Sequence, residues 1–385
     1  MQRLAILGST GSIGRQTLDV VRAYPDRFGV EVLTARGNWQ RLAEQAVEFR
    51  PSSVVIADKD CYPLLREALD RHDIKVYAGE ESIEQIVRSG EVDTVVNALV
   101  GYAGLIPSLS AIEAGKKLAL ANKESLVVAG ELVMRRALEL RVPVVPIDSE
   151  HSAVFQSLAG EVSPISKIIL TASGGPFLDK SPGQLREVTV EQALNHPRWK
   201  MGNKITIDSS TMLNKGFEVI EAHWLFGVDA SKIEVVIHPQ SIIHSMVEFA
   251  DGALKAQMGT PDMHVPIQYA LTFPERLEIR GEKFNFALNP SLTFRAPDRT
   301  LFPLLEVAYD ALRRGGNAPC VLNAANEVAV EAFLGGRIGF MGIADTVTGT
   351  MGRASRVEKP TLDDYRQSNA QARAIAEEII NKSTK

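Results

Sequence analysis

A chain of 385 residues outgrows one hydrophobic core of usual size, so two or three domains are expected. Hydrophobic content of 45% against 23% charged residues is that of a soluble globular protein, and a net charge of -5 offers no broad basic field, which argues against a nucleic-acid partner. No apolar run approaches the ~18 residues of a membrane span, and two cysteines, Cys61 and Cys320, make neither a disulfide framework nor a sulfur-rich metal site, so the reducing cytoplasm is the expected setting.

The first strand is expected at once, in Leu4-Ala5-Ile6-Leu7, and with it no signal or transit peptide. It runs into "GSTGSIG", with glycines at 8, 11 and 14, and then into a helix from Ser12 whose apolar side carries Ile13, Leu18 and Val21. Strand, glycine turn and helix in that order open a Rossmann unit. The first glycine permits the tight turn, the second lets backbone approach a pyrophosphate, and the third lets the helix pack on the strand. The spacing is G-x-x-G-x-x-G rather than the commoner G-x-G-x-x-G, so position behind a strand carries much of the weight.

Short apolar runs at 31–35, 53–58, 94–101, 117–122 and 142–149 read as buried parallel strands, with a helix at 38–50 between two of them. Residues 1–148 therefore predict a doubly wound, Rossmann-like domain with its ligand at the carboxyl ends of the strands. After the second strand comes "TARGNW", with Arg36 where an acid would accept the ribose of NAD; an arginine there suits a 2′-phosphate and favours NADP. Residues 149–272 predict a central α+β catalytic domain with a mixed sheet, its strands at 167–175, 204–210, 232–239 and a hairpin over 242–258. An extended linker follows at 273–300, and a C-terminal helical domain at 301–385 closes with a capping box, Thr361 and Asp364.

"PIDSEHSA" places Asp148 and Glu150 two apart at a strand end, and period two would send both carboxylates to one face, where a cation between them relieves their repulsion. The helix expected at 211–226 has an apolar stripe of Leu213, Phe217, Ile220 and Trp224, and a polar face with Asn214, Glu218 and Glu221 beside Lys215. "DSST" at 208–211 would open that helix with hydroxyls and free amides, an anion site, and "TASGG" at 171–175 offers a second hydroxyl and glycine turn. Together they suit a phosphate monoester. His151, His196, His238 and His244 fall in the same half, and Trp199 and Met201 in a stretch broken by Pro197 and Gly202 suggest a lid over 195–203.

These motifs together resemble the 1-deoxy-D-xylulose 5-phosphate reductoisomerase family over essentially the whole chain. "GSTGSIG", "ANKESLV", "PIDSEHSA", "TASGGPF", "HPRWKMGNKITIDSSTMLNKGFEVIEA", "IHPQSIIHSMVEF" and "NAANEVAV" occur in the family's order. The resemblance implies an NADPH-dependent homodimer that uses Mg²⁺ or Mn²⁺, with Co²⁺ a further candidate. Its reaction would convert 1-deoxy-D-xylulose 5-phosphate into 2-C-methyl-D-erythritol 4-phosphate, by breaking and re-forming a carbon–carbon bond and then reducing an aldehyde. Carried onto this chain, Asp148, Glu150 and Glu218 would ligate the metal, with Glu221 nearby. Ser173, Ser209, Asn214 and Lys215 would hold the phosphate with His196 close by, Ser149 and Lys123 would reach the reacting carbons, and Trp199 would cover them. NADPH would lie across Gly8, Thr10, Gly11, Ser12 and Ile13, across Arg36, Gly37 and Asn38, and across Asn122 and Glu124. Some members carry a lysine in the stretch where this chain has Arg36-Gly37-Asn38. Lys123, Glu150 and His151 all remain open as proton carriers. An acylating dehydrogenase would need a cysteine nucleophile, and neither cysteine has an activating context.

Overall fold

A computed structural model describes residues 1–383 apart from Lys200, Arg280 and Glu282. The chain packs into two compact units, each discontinuous in sequence. One comprises Met1–Ser125, Leu132–Ser152 and Asp262–Arg280, the other Leu126–Glu131, Ala153–Pro261 and Gly281–Lys385.

In the first unit strands alternate with helices: β1 (Gln2–Leu7), α1 (Ser12–Ala23), β2 (Phe28–Ala35), α2 (Trp39–Phe49), β3 (Ser53–Ile56), α3 (Tyr62–Ala68), β4 (Lys75–Ala78), α4 (Glu80–Ile86), β5 (Thr94–Asn97), α5 (Leu105–Glu113), β6 (Lys117–Leu120), α6 (Glu124–Leu140) and β7 (Val144–Pro146). All seven strands are parallel, in the order β4-β3-β2-β1-β5-β6-β7. Strand order reverses between β1 and β5, and a doubly wound sheet binds ligands at the carboxyl ends flanking that reversal. Leu4 to Leu7 are fully buried, as are Val54 to Ile56 and Val95 to Val96, which is why these runs are continuously apolar rather than alternating.

The chain continues through α7 (Ser149–Leu158), β8 (Ile165–Ala172), α8 (Pro182–Arg186), α9 (Val190–Leu194), α10 (Asn203–Ser210), α11 (Leu213–Phe226), β9 (Ile233–Ile237), β10 (Ile243–Phe249) and β11 (Leu254–Met258). The second sheet is mixed, in the order β11-β10-β8-β9, with β8 and β9 parallel and β10 antiparallel to both β8 and β11. Helices α12 (His264–Thr272), α13 (Leu304–Arg314), α14 (Ala318–Leu334), α15 (Phe340–Arg353) and α16 (Leu362–Ser383) complete the chain. The expected α/β class is thus observed, with its parallel sheet, mixed sheet and helical C-terminal part.

Each unit draws on distant stretches of the chain for a physical reason. Helix α12 packs on α1. Residues 302–347 share one core with β8, β9 and α11, in which Phe217, Leu305, Ala308 and Phe333 are buried together. Residues 126–131 belong with that second core because Gly130 admits the Trp224 ring; a Cβ there would lie 2.1 Å from it.

Three local expectations are corrected. "KITIDSS" (204–210) is helix α10, not a strand. Its alternation of β-branched residues is overridden by packing, since Thr206, Ile207, Asp208 and Ser210 are buried on a helical face. Asp208 to Thr211 therefore close α10 rather than open α11; Met212 turns the chain in the left-handed region (φ 63°) and α11 begins at Leu213. The 142–149 strand stops at Pro146, and Ser149 and Glu150 lie in the first turn of α7, so period two does not align Asp148 with Glu150. Strand β4 was not expected at all: Lys75 and Tyr77 are exposed at the sheet's edge, and four residues give little pattern. The hairpin at 250–252 and the Thr361–Asp364 capping box form as the sequence predicts.

Candidate active site

In the first unit the glycine turn closes tightly on the strand ends. Gly8 takes φ +78°, and a Cβ there would lie 2.7 Å from the Ala98 carbonyl oxygen. Its amide donates to Thr34 Oγ1 at 3.0 Å, and the Ser9 amide donates to the Thr34 carbonyl, tying the turn to β2. A Cβ on Gly14 would come within 2.3 Å of the Gly8 oxygen, so the third glycine is what lets α1 start so close to β1. Gly11 caps α1 and has no side chain to fold over it, leaving the Ser12 and Ile13 end of the helix open to an anion beside Thr10. Beyond β2, Arg36 and Asn38 are exposed and Gly37 half-buried. Asn38 caps α2 by accepting from the Arg41 amide at 3.2 Å.

Asn122, after β6, is a buried strut. Its Nδ2 donates to the Leu99 and Gly101 carbonyls at 2.9 and 3.0 Å and to the Glu124 carboxylate at 3.1 Å, while its Oδ1 accepts from the Ser125 amide at 3.0 Å. Asn97 supports the same loop by donating to the Gly104 carbonyl and Ser108 Oγ. A Cβ on Gly104 would meet Asn122 Oδ1 at 2.2 Å. The sequence reading passed over Asn97 and Gly104, although a polar residue ending the apolar run Thr94–Asn97 was the available signal.

Lys123 follows, buried, with its Nζ 2.7 Å from Asp148 Oδ2. His151, fully buried, presents Nδ1 3.4 Å from the same oxygen. Burial by itself would raise the Asp148 carboxyl, but the Lys123 charge and the hydrogen bonds from His151 and Lys123 outweigh it and hold Asp148 well below the usual carboxylate range. Asp148 is therefore an anion at neutral pH. Ser149 donates to the Glu150 carboxylate, and Asp148 and Glu150 offer oxygens within 4.8 Å of each other, brought together by the strand-to-helix turn.

In the second unit, α11 gathers what the sequence had spread over an ordinary surface face. Lys215, Glu218 and Glu221 are 4%, 1% and 0% exposed, so this polar face is interior. Asn214 Nδ2 donates to Glu218 Oε1 at 2.5 Å and Lys215 Nζ pairs with Glu218 Oε2, one turn holding amide, ammonium and carboxylate in register. Gly216 lets the opposite side of α11 approach α13, where a Cβ would lie 2.5 Å from Ala308 Cβ.

The "TASGG" turn ends β8. Ser173 Oγ lies 3.1 Å from His196 Nε2 and accepts from the Gly175 amide. His196 Nδ1 accepts from the amides of Arg198 and Trp199 at 3.2 and 2.9 Å, which fixes the proton of the neutral ring on Nε2, donating to Ser173. Burial lowers the His196 pKa to about 4, so the ring is neutral at physiological pH. Trp199 sits with its ring 6.4 Å from that of His244. Ser209 is half-buried at the end of α10, and Gly175, at φ +69°, brings the "TASGG" turn against it: a Cβ would lie 2.8 Å from the Ser209 carbonyl oxygen.

Sequence models of known families match in three consecutive stretches: 1-deoxy-D-xylulose 5-phosphate reductoisomerase over residues 4–130, its C-terminal domain over 144–226, and the DXP reductoisomerase C-terminal domain over 258–375. The 1-deoxy-D-xylulose 5-phosphate reductoisomerase of Bacteroides fragilis is 56% identical over 382 residues, 99% of this chain and 98% of the relative. The chain belongs to the 1-deoxy-D-xylulose 5-phosphate reductoisomerase family. Among solved structures, the Zymomonas mobilis reductoisomerase in complex with NADPH superposes with a TM-score of 0.92 at 41% identity, over 98% of this chain and 99% of that one. A DOX-P reductoisomerase in complex with NADPH, fosmidomycin and magnesium gives 0.94 at 42% identity, over 99% and 98%.

Proposed function

We propose that this reductoisomerase uses NADPH and a divalent cation, Mg²⁺ or Mn²⁺, to isomerise and reduce 1-deoxy-D-xylulose 5-phosphate to 2-C-methyl-D-erythritol 4-phosphate. The observation that carries the reading is the single turn of α11 that joins Asn214, Lys215 and Glu218. It offers phosphate-binding donors and a carboxylate ligand from one rigid element. Relatives of known structure bind NADPH and magnesium.

The donor set fits a hard cation: Asp148, Glu150 and Glu218 supply oxygens and none supplies sulfur. When bound, the cation would supply Lewis-acid polarisation of the substrate's carbonyl and NADPH the hydride. Lys123 keeps Asp148 ionised and, buried beside the ligands, would give a proton to a developing oxyanion from Nζ, with Glu150 and His151 the other candidate proton carriers. Ser149 orients Glu150. Ser173, Ser209, Asn214 and Lys215 anchor the phosphate, so binding energy from an unreacting group fixes the reacting carbons. Neutral His196 orients Ser173 there by donating to its Oγ from Nε2, and Trp199 would cover the site and exclude water. NADPH lies across Gly8 to Ile13, with its 2′-phosphate at Arg36, Gly37 and Asn38 and its nicotinamide end near Asn122 and Glu124.

Cofactor contacts would fall on residues 1–148, which also supply Lys123 and Asp148 to the chemistry, and the remaining catalytic contacts and the dimer contact on residues 149–272. The exposed edge strand β11, with Leu254 55% exposed, is a surface a second copy could cover in the proposed homodimer. Among the described residues no helix is long and apolar enough to cross a membrane, and a cytoplasmic location is part of the proposal. The test is loss of NADPH absorbance on adding 1-deoxy-D-xylulose 5-phosphate, with Mn²⁺ and with excess EDTA. Oxidation that needs both sugar phosphate and metal is expected; oxidation that survives EDTA would remove the metal from the mechanism.

A further inference from the structure

The mechanism above leaves one buried ionic cluster unused. Asp208, in the last turn of α10, is 2% exposed, yet it carries a carboxylate that no proposed substrate contact employs. Its Oδ2 lies 2.9 Å from Lys204 Nζ one turn earlier, and its Oδ1 accepts from Asn326 Nδ2 of α14 at 2.7 Å. Lys204 Nζ also stands 5.1 Å over the Phe217 ring, on α11 between Lys215 and Glu218. Asn326 is fully buried, and its own Oδ1 has no partner among the described residues. An amide kept with one end unsatisfied so that the other can hold a carboxylate is a positional device, because an apolar residue would fill the space without that penalty.

What the device would position is the neighbouring residue. Ser209 follows Asp208 directly, and its carbonyl oxygen is where the Gly175 turn comes into contact. The end of α10 therefore sets the spacing between Ser173 and Ser209. The Asp208 carbonyl also accepts from Thr211 Oγ1, at the turn into Asn214 and Lys215. We propose that Asp208, clamped by Lys204 and Asn326, is a positioning residue that fixes the phosphate-binding hydroxyl of Ser209 against Ser173 and the start of α11. The proposal rests on the reading that Ser209 contacts the substrate phosphate.

Asp208→Asn should raise KM for 1-deoxy-D-xylulose 5-phosphate about tenfold and raise the inhibition constant of inorganic phosphate by the same factor. It should leave kcat within about threefold and the NADPH dissociation constant unchanged, a split that general loosening of the fold would not produce. The exchange Asp208→Asn with Asn326→Asp restores a carboxylate–amide contact across the same gap and should recover most of the loss. Lys204→Gln, whose side chain reaches the surface, should shift both phosphate constants in the same direction by a smaller factor and serves if Asp208→Asn fails to fold. Unchanged phosphate constants in Asp208→Asn, or in Lys204→Gln where that variant stands in, overturn the proposal; so does a fall in kcat with KM constant, or failure of the double exchange to rescue. Ser209→Ala separates the two layers: if it leaves KM untouched, the phosphate reading itself is wrong, whereas a raised KM there with a silent Asp208→Asn removes only the clamp.

Discussion

The β1–α1 turn of the first unit and the α10–α11 stretch of the second both read as anion sites, but they achieve it by opposite means. The glycine turn works by absence: Gly8, Gly11 and Gly14 remove side chains so that backbone can close and helix amides stay open. The α11 turn works by presence, burying Lys215 and Glu218 against each other and fastening Glu218 to Asn214 as well. A site made of omissions tolerates almost no added atom, whereas a site made of buried charge tolerates almost no lost partner. Substitutions that exploit this contrast should sort cleanly by unit.

The largest effect is expected from Lys215→Ala. It removes the ammonium from a buried carboxylate and from the proposed phosphate site, so kcat/KM should fall about a hundredfold or more and stability by roughly 3 kcal/mol, read by steady-state kinetics and urea unfolding. NADPH affinity should stay as it was. A smaller and opposite pattern is expected from Gly14→Ala, whose Cβ would sit 2.3 Å from the Gly8 oxygen. Stability should drop by about 2 kcal/mol and NADPH binding by about tenfold, with inorganic phosphate inhibition retained. If Gly14→Ala weakened phosphate as much as NADPH, the two sites would not be separable by unit.

The smallest effect concerns pH. His196 titrates near 4 in the folded chain against 6.5 unfolded, because burial disfavours its charged form. Between those values the unfolded chain binds more protons, so His196 contributes stability fully above pH 6.5 that is lost as pH falls towards 4. Urea unfolding at pH 7 and pH 5 should show a loss that His196→Asn reduces; an identical loss in that variant would assign the pH dependence to other groups.

The same contrast explains what was legible in the sequence. The parallel sheet and the glycine turn declare themselves because continuous apolar runs and glycines are local signals. The burial of Lys215, Glu218 and Glu221 is not local. A helix with charged residues on one face looks like a surface helix, and only the folded chain shows Lys215, Glu218 and Glu221 to be buried. "KITIDSS" misled for a related reason, since alternating β-branched residues prefer strands and only packing of Ile207 and Asp208 makes a helix there. Lys204, Asp208 and Asn326 were invisible because 118 residues separate Asp208 from the amide that holds it. The candidate ligands Asp148, Glu150 and Glu218 came from motif order; the ion pair between Lys123 and Asp148 came only from the fold.

The most direct test of the account is Glu218→Gln, assayed for turnover across a Mg²⁺ titration and, in parallel, for NADPH binding by fluorescence. The substitution keeps shape and the contacts of Asn214 while removing the charge. The account predicts a kcat lowered by two orders of magnitude or more at any Mg²⁺ concentration, with NADPH bound as tightly as before. Full turnover at saturating Mg²⁺ would contradict it and take Glu218 out of the metal site.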